Sequence, residues 1–335
     1  MQTDSVTQPR AARSLTEILA PVRPGLDEVE RLLAEACRVP SIPILESILH
    51  SILGGPAKRL RPALALLVCE LLDRRGTGPA TLATACEVLH SATLVHDDIV
   101  DSADSRRGRP AVHVAWSGKL AVLAGDYLFA SAADLVARLD RPRIVRQFAD
   151  TIHRMSRSEF VQPGLNDGLQ AARGQYLEKI GDKTASLLGL ACDAASELVG
   201  VEIAEANALH AYGWNLGLAF QVYDDILDVS GVTADTGKPV GGDIRHGVLS
   251  LPVILYLERE SNPRDIVHRV LEGDADEAMV AAALDALRVT GAVDAAREHA
   301  RAFSALALNA LRDLPQGPAS GALAELVEYA TDRRN

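Results

Sequence analysis

Aromatic side chains make up only 4% of this 335-residue chain, so its core must be built from small and branched residues packed at close range. No Lys/Arg stripe runs along it and the formal net charge is −11. That excludes general nucleic-acid binding, which needs cations to neutralise a phosphate backbone. The four cysteines, Cys37, Cys69, Cys86 and Cys192, show no CxxC spacing and stand in apolar, helix-like contexts; reduced core thiols in a cytoplasmic protein are expected. Residues 1–13 are polar and lack the apolar stretch of a secretory signal. No run reaches eighteen uninterrupted apolar residues, so no bilayer-spanning segment is expected. Absent too are a GxxxxGK[ST] loop and a dinucleotide fingerprint, which argues against phosphoryl transfer from ATP.

What is present is apolar and helical in character. The apolar share is 48%, dominated by Ala and Leu, while 25 Gly and 16 Pro are spread thinly. Residues 1–13 read as a disordered leader and 14–335 as a single all-helical domain, because no break in composition divides the chain. Ser14 or Thr16 can cap a first helix. The 3–4 spacing of Leu26, Val29, Leu32 and Leu33, then of Ile42, Leu45, Ile48, Leu49, Ile52 and Leu53, predicts two more helices before the stop at Gly54-Gly55-Pro56. Further helices are predicted at 64–72, 115–139, 143–161, 169–199 and 201–229, and residues 332–335 should fray.

Acidic clusters close two of the apolar runs. Asp97, Asp98 and Asp101 end one, and Asp224, Asp225 and Asp228 end another at the same spacing. Residues i and i+4 share a helix face, so Asp97 and Asp101 point the same way, as do Asp224 and Asp228. Carboxylates gathered at the end of a buried helix repel one another unless a cation lies between them, and a divalent metal suits oxygen ligands so arranged. If both clusters grip the same metal ions, they face each other across one cavity.

Cations accompany each cluster. Lys58, Arg59 and Arg61 head an apolar helix, a place the macrodipole makes favourable for anions. Arg106 and Arg107 follow the first aspartates, and the arginine fork matches phosphate oxygens. Lys183-Thr184 sits within an apolar stretch, and Lys238 lies in the polar loop TGKPVGGDIRHG after the second cluster. Metal and arginine side by side suit a diphosphate. Gly125 to Phe129, GDYLF, either shapes an apolar cavity or is ordinary packing.

The ordered set KRLRP, HSATLVHDDIVD with RRGRP, KT at 183–184, FQVYDDILD and GKPVGGD resembles the trans-isoprenyl (polyprenyl) diphosphate synthases from about Gly54 to Pro252, with the Leu323, Leu326, Tyr329 ending in weaker support. The resemblance implies an all-α isoprenoid synthase-type bundle of long helices around a central cavity. It also implies condensation of isopentenyl diphosphate with an allylic diphosphate. Asp97, Asp101 and Asp224, assisted by Asp98, Asp225 and Asp228, would hold three magnesium ions on the allylic diphosphate. Arg106, Lys183 and Lys238 would contact that diphosphate. Lys58, Arg61, His90 and Arg107 would hold the second substrate, and Thr184 and Gln221 would line the reacting carbon.

The family is usually homodimeric, and an insoluble product suggests contact with a membrane surface. One departure is Val248, where the family usually has lysine. Ala92 and Thr93, one turn before Asp97, leave the path of a growing chain open, so products longer than twenty carbons are expected. A deeper floor at Leu89, Tyr127 or Phe129 would instead give a farnesyl or geranylgeranyl diphosphate synthase. A terpene cyclase has no use for the second set of cations, and a non-catalytic partner subunit tends to lose its aspartates.

Overall fold

A computed structural model describes residues 13–55, 57–73, 77–231, 240–260, 262, 264–273 and 275–331. The expectations for residues 1–12, for Lys238 and for residues 332–335 lie outside the described residues. Ser14 caps α1 (Leu15–Ile18) in a reciprocal box with Glu17. Then come α2 (Arg23–Ala36), α3 (Pro43–Leu53), α4 (Leu60–Leu71) and the long α5 (Thr77–Val100). A two-residue-per-strand hairpin follows, β1 (Ser105–Arg106) and β2 (Arg109–Pro110). Next are α6 (Val112–Ala115), α7 (Gly118–Ala137), α8 (Pro142–Ser158), α9 (Leu169–Ile180), α10 (Ser186–Val199) and α11 (Ile203–Ser230). The chain closes with α12 (Gly242–Arg245), α13 (Leu251–Leu257), α14 (Ile266–Leu271), α15 (Glu277–Val289), α16 (Ala292–Ala310) and α17 (Pro318–Thr331). The fold is the expected all-α bundle.

Two buried apolar clusters share α11. Its Leu209, Tyr212 and Leu216 belong to the cluster built by α2–α5, α7, α10 and α17, and its Val222, Ile226 and Val229 to the one built by α9 and α13–α16. With few aromatics, the seams close on glycine and alanine. A Cβ on Gly217 would lie 2.4 Å from the Ala185 Cα, and one on Gly213 would lie 2.8 Å from the Leu188 carbonyl oxygen. At these two positions α11 meets its neighbour backbone to backbone. On the α5–α7 seam, a Cβ on Gly125 would lie 2.2 Å from His96 Nε2. The GDYLF stretch is therefore packing: its glycine seats an imidazole.

One sequence expectation needs correction. The stretch 169–199 is not one uniform α-helix, because Gly181–Ala185 between α9 and α10 is a π segment. Such a bulge shifts the facing of the residues that follow, and Lys183 and Thr184 sit inside it. Gly181 makes room there for the Trp214 ring, which a Cβ would approach to 2.9 Å. Helix α7 is long and apolar enough to cross a bilayer by length and composition alone, a test that a core helix also passes. Lys119, Asp126 and Asp134 interrupt it, and one face packs on α5. Its other face leaves Val122, Leu123 and Tyr127 exposed.

Gly217→Ala is expected to lower unfolding free energy by about 2 kcal/mol, the usual cost of forcing a group into a packed seam, read from the midpoint of a denaturant titration. Gly321→Ala on α17, where no atom lies within reach of the added carbon, is the matched control and should raise that midpoint, since alanine favours a helix interior by up to about 1 kcal/mol.

Candidate active site

The first aspartate cluster occupies the last turn of α5. Adjacent residues on a helix diverge by about 100°, so Asp97 and Asp98 cannot serve the same ligand equally. Asp98 turns inward, 4% exposed, and accepts from Arg106 Nε at 2.8 Å and from the Arg106 terminal nitrogen. The hairpin delivers that arginine. Its turn residues Arg107 and Gly108 both have positive φ, 52° and 74°, as a two-residue turn matching strand twist requires. Asp97 keeps the other face, where burial pushes its carboxyl up to about 6 against the opposing pull of Lys183. A carboxylate so placed gains from any further cation.

The second cluster repeats the division on α11. Asp225 points inward, 5% exposed, where it accepts from the Tyr176 hydroxyl at 2.6 Å and from Gln221 Nε2 at 3.0 Å. Burial pushes it up to about 7, and Tyr176 and Gln221 oppose that rise. Asp228 accepts the backbone N–H groups of Gly242 and Asp243, each at 3.0 Å, and so ties the GGD turn and α12 to α11. The supporting aspartates Asp98, Asp225 and Asp228 are thus each held by protein groups.

Lys183 and Thr184 join the clusters. Lys183 Nζ lies 2.8 Å from the Glu159 carboxylate and 4.0 Å from Asp97. The Thr184 hydroxyl donates to Gln221 Oε1 at 2.7 Å, and Gln221 passes the connection to Asp225. A polar path therefore runs from α5 through the π segment to α11. Arg61 lies within the field of Asp224, which brings KRLRP to the second cluster as well.

The KRLRP cations divide their work. Arg59 stands at a left-handed φ of 49° and is 8% exposed. Its guanidinium donates to Glu30 at 2.6 Å, to Glu87 at 2.7 Å and to the Leu53 carbonyl at 2.9 Å. Three partners over-determine a backbone shape that a non-glycine residue seldom adopts. Arg59 is therefore a brace for the turn, apart from Lys58 and Arg61, the two cations expected to hold an oxyanion. Lys58 is exposed, its ammonium 5.3 Å from the centre of the Tyr329 ring. Arg61 Nε is shut off from solvent without a partner, and burial brings its guanidinium down to about 10. Buried donors are normally satisfied, so an oxyanion is the natural complement. Burial first, then Arg61 and Arg107, hold His90 well below the usual imidazole range and so neutral.

Sequence reasoning missed Glu87, Glu159 and the polar role of Tyr176. Glu87 left a signal, since a lone acid amid CEVLH on a buried helix needs a cationic partner. The other two left none. Around the path of a growing chain, Leu89 and Ala92 are fully buried and Thr93 is 8% exposed. Tyr127, one of the three candidate floors, lies instead on the outer face of α7, and Phe129 packs on His96. A cavity of about 140 Å³ opens on the Asp98 flank of α5, lined in part by Ser91, Leu94, Val95, Arg106 and Arg107.

Among the described residues no three acidic, histidine or cysteine side chains converge on one point. The oxygen-only donors fit a hard divalent cation held by one or two carboxylates together with phosphate oxygens, as magnesium commonly is. An all-helical bundle with such acids and an orphaned guanidinium belongs to the class of metal-assisted transferases that act on diphosphates.

The comparisons with known proteins narrow that class. The polyprenyl synthetase family model matches residues 42–287. Nonaprenyl diphosphate synthase of Mycobacterium tuberculosis is 36% identical over 318 residues, 94% of each chain. A short-chain isoprenyl diphosphate synthase of Methanothermobacter thermautotrophicus is 35% identical over 87% of this chain and 91% of its own. The crystal structure of the Caulobacter crescentus polyprenyl synthase, complexed with calcium and isoprenyl diphosphate, superposes with a TM-score of 0.90 at 33% identity, covering 98% of this chain and all of that one. The chain belongs to the polyprenyl synthetase family and is a prenyltransferase.

Tyr176→Phe removes a donor from the buried Asp225 carboxylate and should cost about 1–3 kcal/mol of stability, measured at neutral pH by denaturant unfolding. An unchanged midpoint would show that Gln221 alone satisfies Asp225.

Proposed function

We propose that this prenyltransferase condenses isopentenyl diphosphate with an allylic diphosphate to give trans-polyprenyl diphosphates longer than twenty carbons. The observation that carries the reading is the division of cations into two groups. Arg61, with Nε unpartnered beside Glu87 and Arg107, suits the diphosphate of isopentenyl diphosphate, with Lys58, His90 and Arg107 around it. Lys183, between Asp97 and Glu159, suits the allylic diphosphate, with Arg106 and Lys238 as its further contacts. Two diphosphate seats are what a condensation needs.

Magnesium, three ions by the family resemblance, would neutralise the diphosphate as it leaves; Asp97, Asp101 and Asp224, assisted by Asp98, Asp225 and Asp228, would hold it. Lys183 and Arg106 stabilise the charge that develops on the leaving oxygens. The Thr184 hydroxyl oxygen faces the allylic carbon, its orientation set by the bond to Gln221. The apolar walls of α5 and its neighbours keep water from the cation. The double bond of isopentenyl diphosphate then closes the new carbon–carbon bond, and the departed diphosphate accepts the proton released. His90, held neutral, donates a hydrogen bond to the second diphosphate without adding charge.

Chain length rests on Ala92 and Thr93, one turn or about 6 Å below Asp97. Neither side chain is large enough to close the path there, and Leu89 is the next residue on that face. Long-chain and short-chain enzymes are both among the relatives, so the side chains support this step. The exposed Val122, Leu123 and Tyr127 of α7 support a homodimer built on that face; a cytoplasmic enzyme with peripheral membrane contact for product release is proposed from the resemblance and the insoluble product alone. Sedimentation of the protein and of Leu123→Asp tests the first, and flotation with liposomes after turnover tests the second.

Purified protein, magnesium, labelled isopentenyl diphosphate and farnesyl or geranylgeranyl diphosphate should yield products beyond twenty carbons. Ala92→Phe should shorten them with kcat largely kept. A wild-type stop at fifteen or twenty carbons overturns the length argument, and no elongation with any starter brings forward a partner-dependent subunit. Val248→Lys should lower KM for the allylic diphosphate severalfold and leave that for isopentenyl diphosphate unchanged; steady-state kinetics with each substrate varied separates the two.

A further inference from the structure

The end of α8 meets the π segment through three ion pairs, two of one sense and one of the other. Arg154 and Arg157 reach the buried Asp182, at 3.4 Å in the first case and 3.1 Å through Arg157 Nε in the second. Glu159, the residue that ends α8, takes the ammonium of the very next residue, Lys183, at 2.8 Å. Successive residues of the π segment, one acidic and one basic, are thus matched by a basic and then an acidic group on α8. Asp97 Oδ2 waits 4.0 Å from the same ammonium. Lysine carries its charge on a flexible four-carbon stem, so the gap of little more than an ångström is one the side chain can close.

We propose that Glu159 is a positioning residue that draws Lys183 away from Asp97. With Glu159 in place, Asp97 stays open to metal and Lys183 stands beside it, facing the diphosphate. Without it, the ammonium collapses onto Asp97, and the two groups that should grip one metal–diphosphate unit neutralise each other. Arg154 and Arg157 hold the segment still through Asp182, so that the position of Lys183 is decided by its two carboxylate neighbours. The proposal rests on the reading of Asp97 as a metal ligand and Lys183 as a diphosphate contact.

Titration of the metal-free protein with magnesium in the presence of inorganic diphosphate, followed by calorimetry, tests it without turnover. Glu159→Gln should weaken binding about tenfold, the size of a coupling between charged groups in contact. Glu159→Asp, which keeps the charge, should recover most of it, and melting curves confirm that each variant is folded. In a Lys183→Gln background the same Glu159→Gln change should have no further effect, because no ammonium remains to collapse. Wild-type binding by Glu159→Gln overturns the proposal. So does a tenfold loss that persists in the Lys183→Gln background, which would make Glu159 act on the metal directly. Unchanged binding by Asp97→Asn and by Lys183→Gln overturns the underlying assignment itself, an outcome distinct from the other two.

Discussion

The approach of α11 to the π segment, closed where Gly217 lies against Ala185, is the constraint on which the site depends. Gln221 is one turn beyond Gly217, and Thr184 directly precedes Ala185. The 2.7 Å hydrogen bond between them exists because the backbones touch one residue and one turn away. From that bond the polar path extends to Asp225 and Tyr176 on one side. On the other it extends through Lys183 to Asp97. A helix pair held at an ordinary 8–10 Å separation by larger side chains would leave Thr184 and Gln221 out of reach. The scarcity of aromatics and the placement of glycines are thus conditions for the chemistry as well as for the fold.

Of the six aspartates, Asp98, Asp225 and Asp228 are held by protein groups. In each DDxxD the second aspartate is rotated by about 100° from the first. It is also the buried one, at 4% exposure for Asp98 and 5% for Asp225. An acid driven into the interior must find donors, and the two find different ones: the guanidinium of Arg106 for Asp98, and the hydroxyl of Tyr176 with the amide of Gln221 for Asp225. The choice has consequences for the loops. Asp98 anchors the RRGRP hairpin, while Asp228 anchors the GGD turn through two backbone amides. The motif therefore carries its own loop attachments, and the same residues that look redundant in a ligand count fix the RRGRP hairpin and the GGD turn.

Much of this was legible in the sequence because it rests on periodicity and on charge in apolar surroundings. The helices, their stops at Gly54-Gly55 and Pro163–Gly168, and the pairing of acidic clusters with cations all follow from residue order. What was not legible depends on contacts between distant elements. The π segment follows from Gly181 yielding to Trp214 on another helix, and no local pattern announces it. Arg59 reads only as a cation beside Lys58 and Arg61 until Glu30 and Glu87 are seen to claim it. Glu159 and Tyr176 look like an ordinary helix end and an ordinary core aromatic; only the fold turns them toward Lys183 and Asp225.

Helix α7 ties the site to the protein's outer surface. Its inner face carries Gly125, whose missing Cβ admits the His96 ring, and the Val122 carbonyl lies 3.2 Å from His96 Nε2. Phe129 completes the seat with its ring centre 5.4 Å from that of the imidazole. His96 directly precedes Asp97, so the last turn of α5 is registered against α7 at the point where the first aspartate cluster begins. The opposite face of the same helix presents Val122, Leu123 and Tyr127 to the exterior. Val122 belongs to both faces, its carbonyl beside the histidine and its side chain outside. Close packing transmits displacement, because interiors have little free volume to absorb it. The position of Asp97 is therefore tied to α7 through His96 and the Val122 carbonyl.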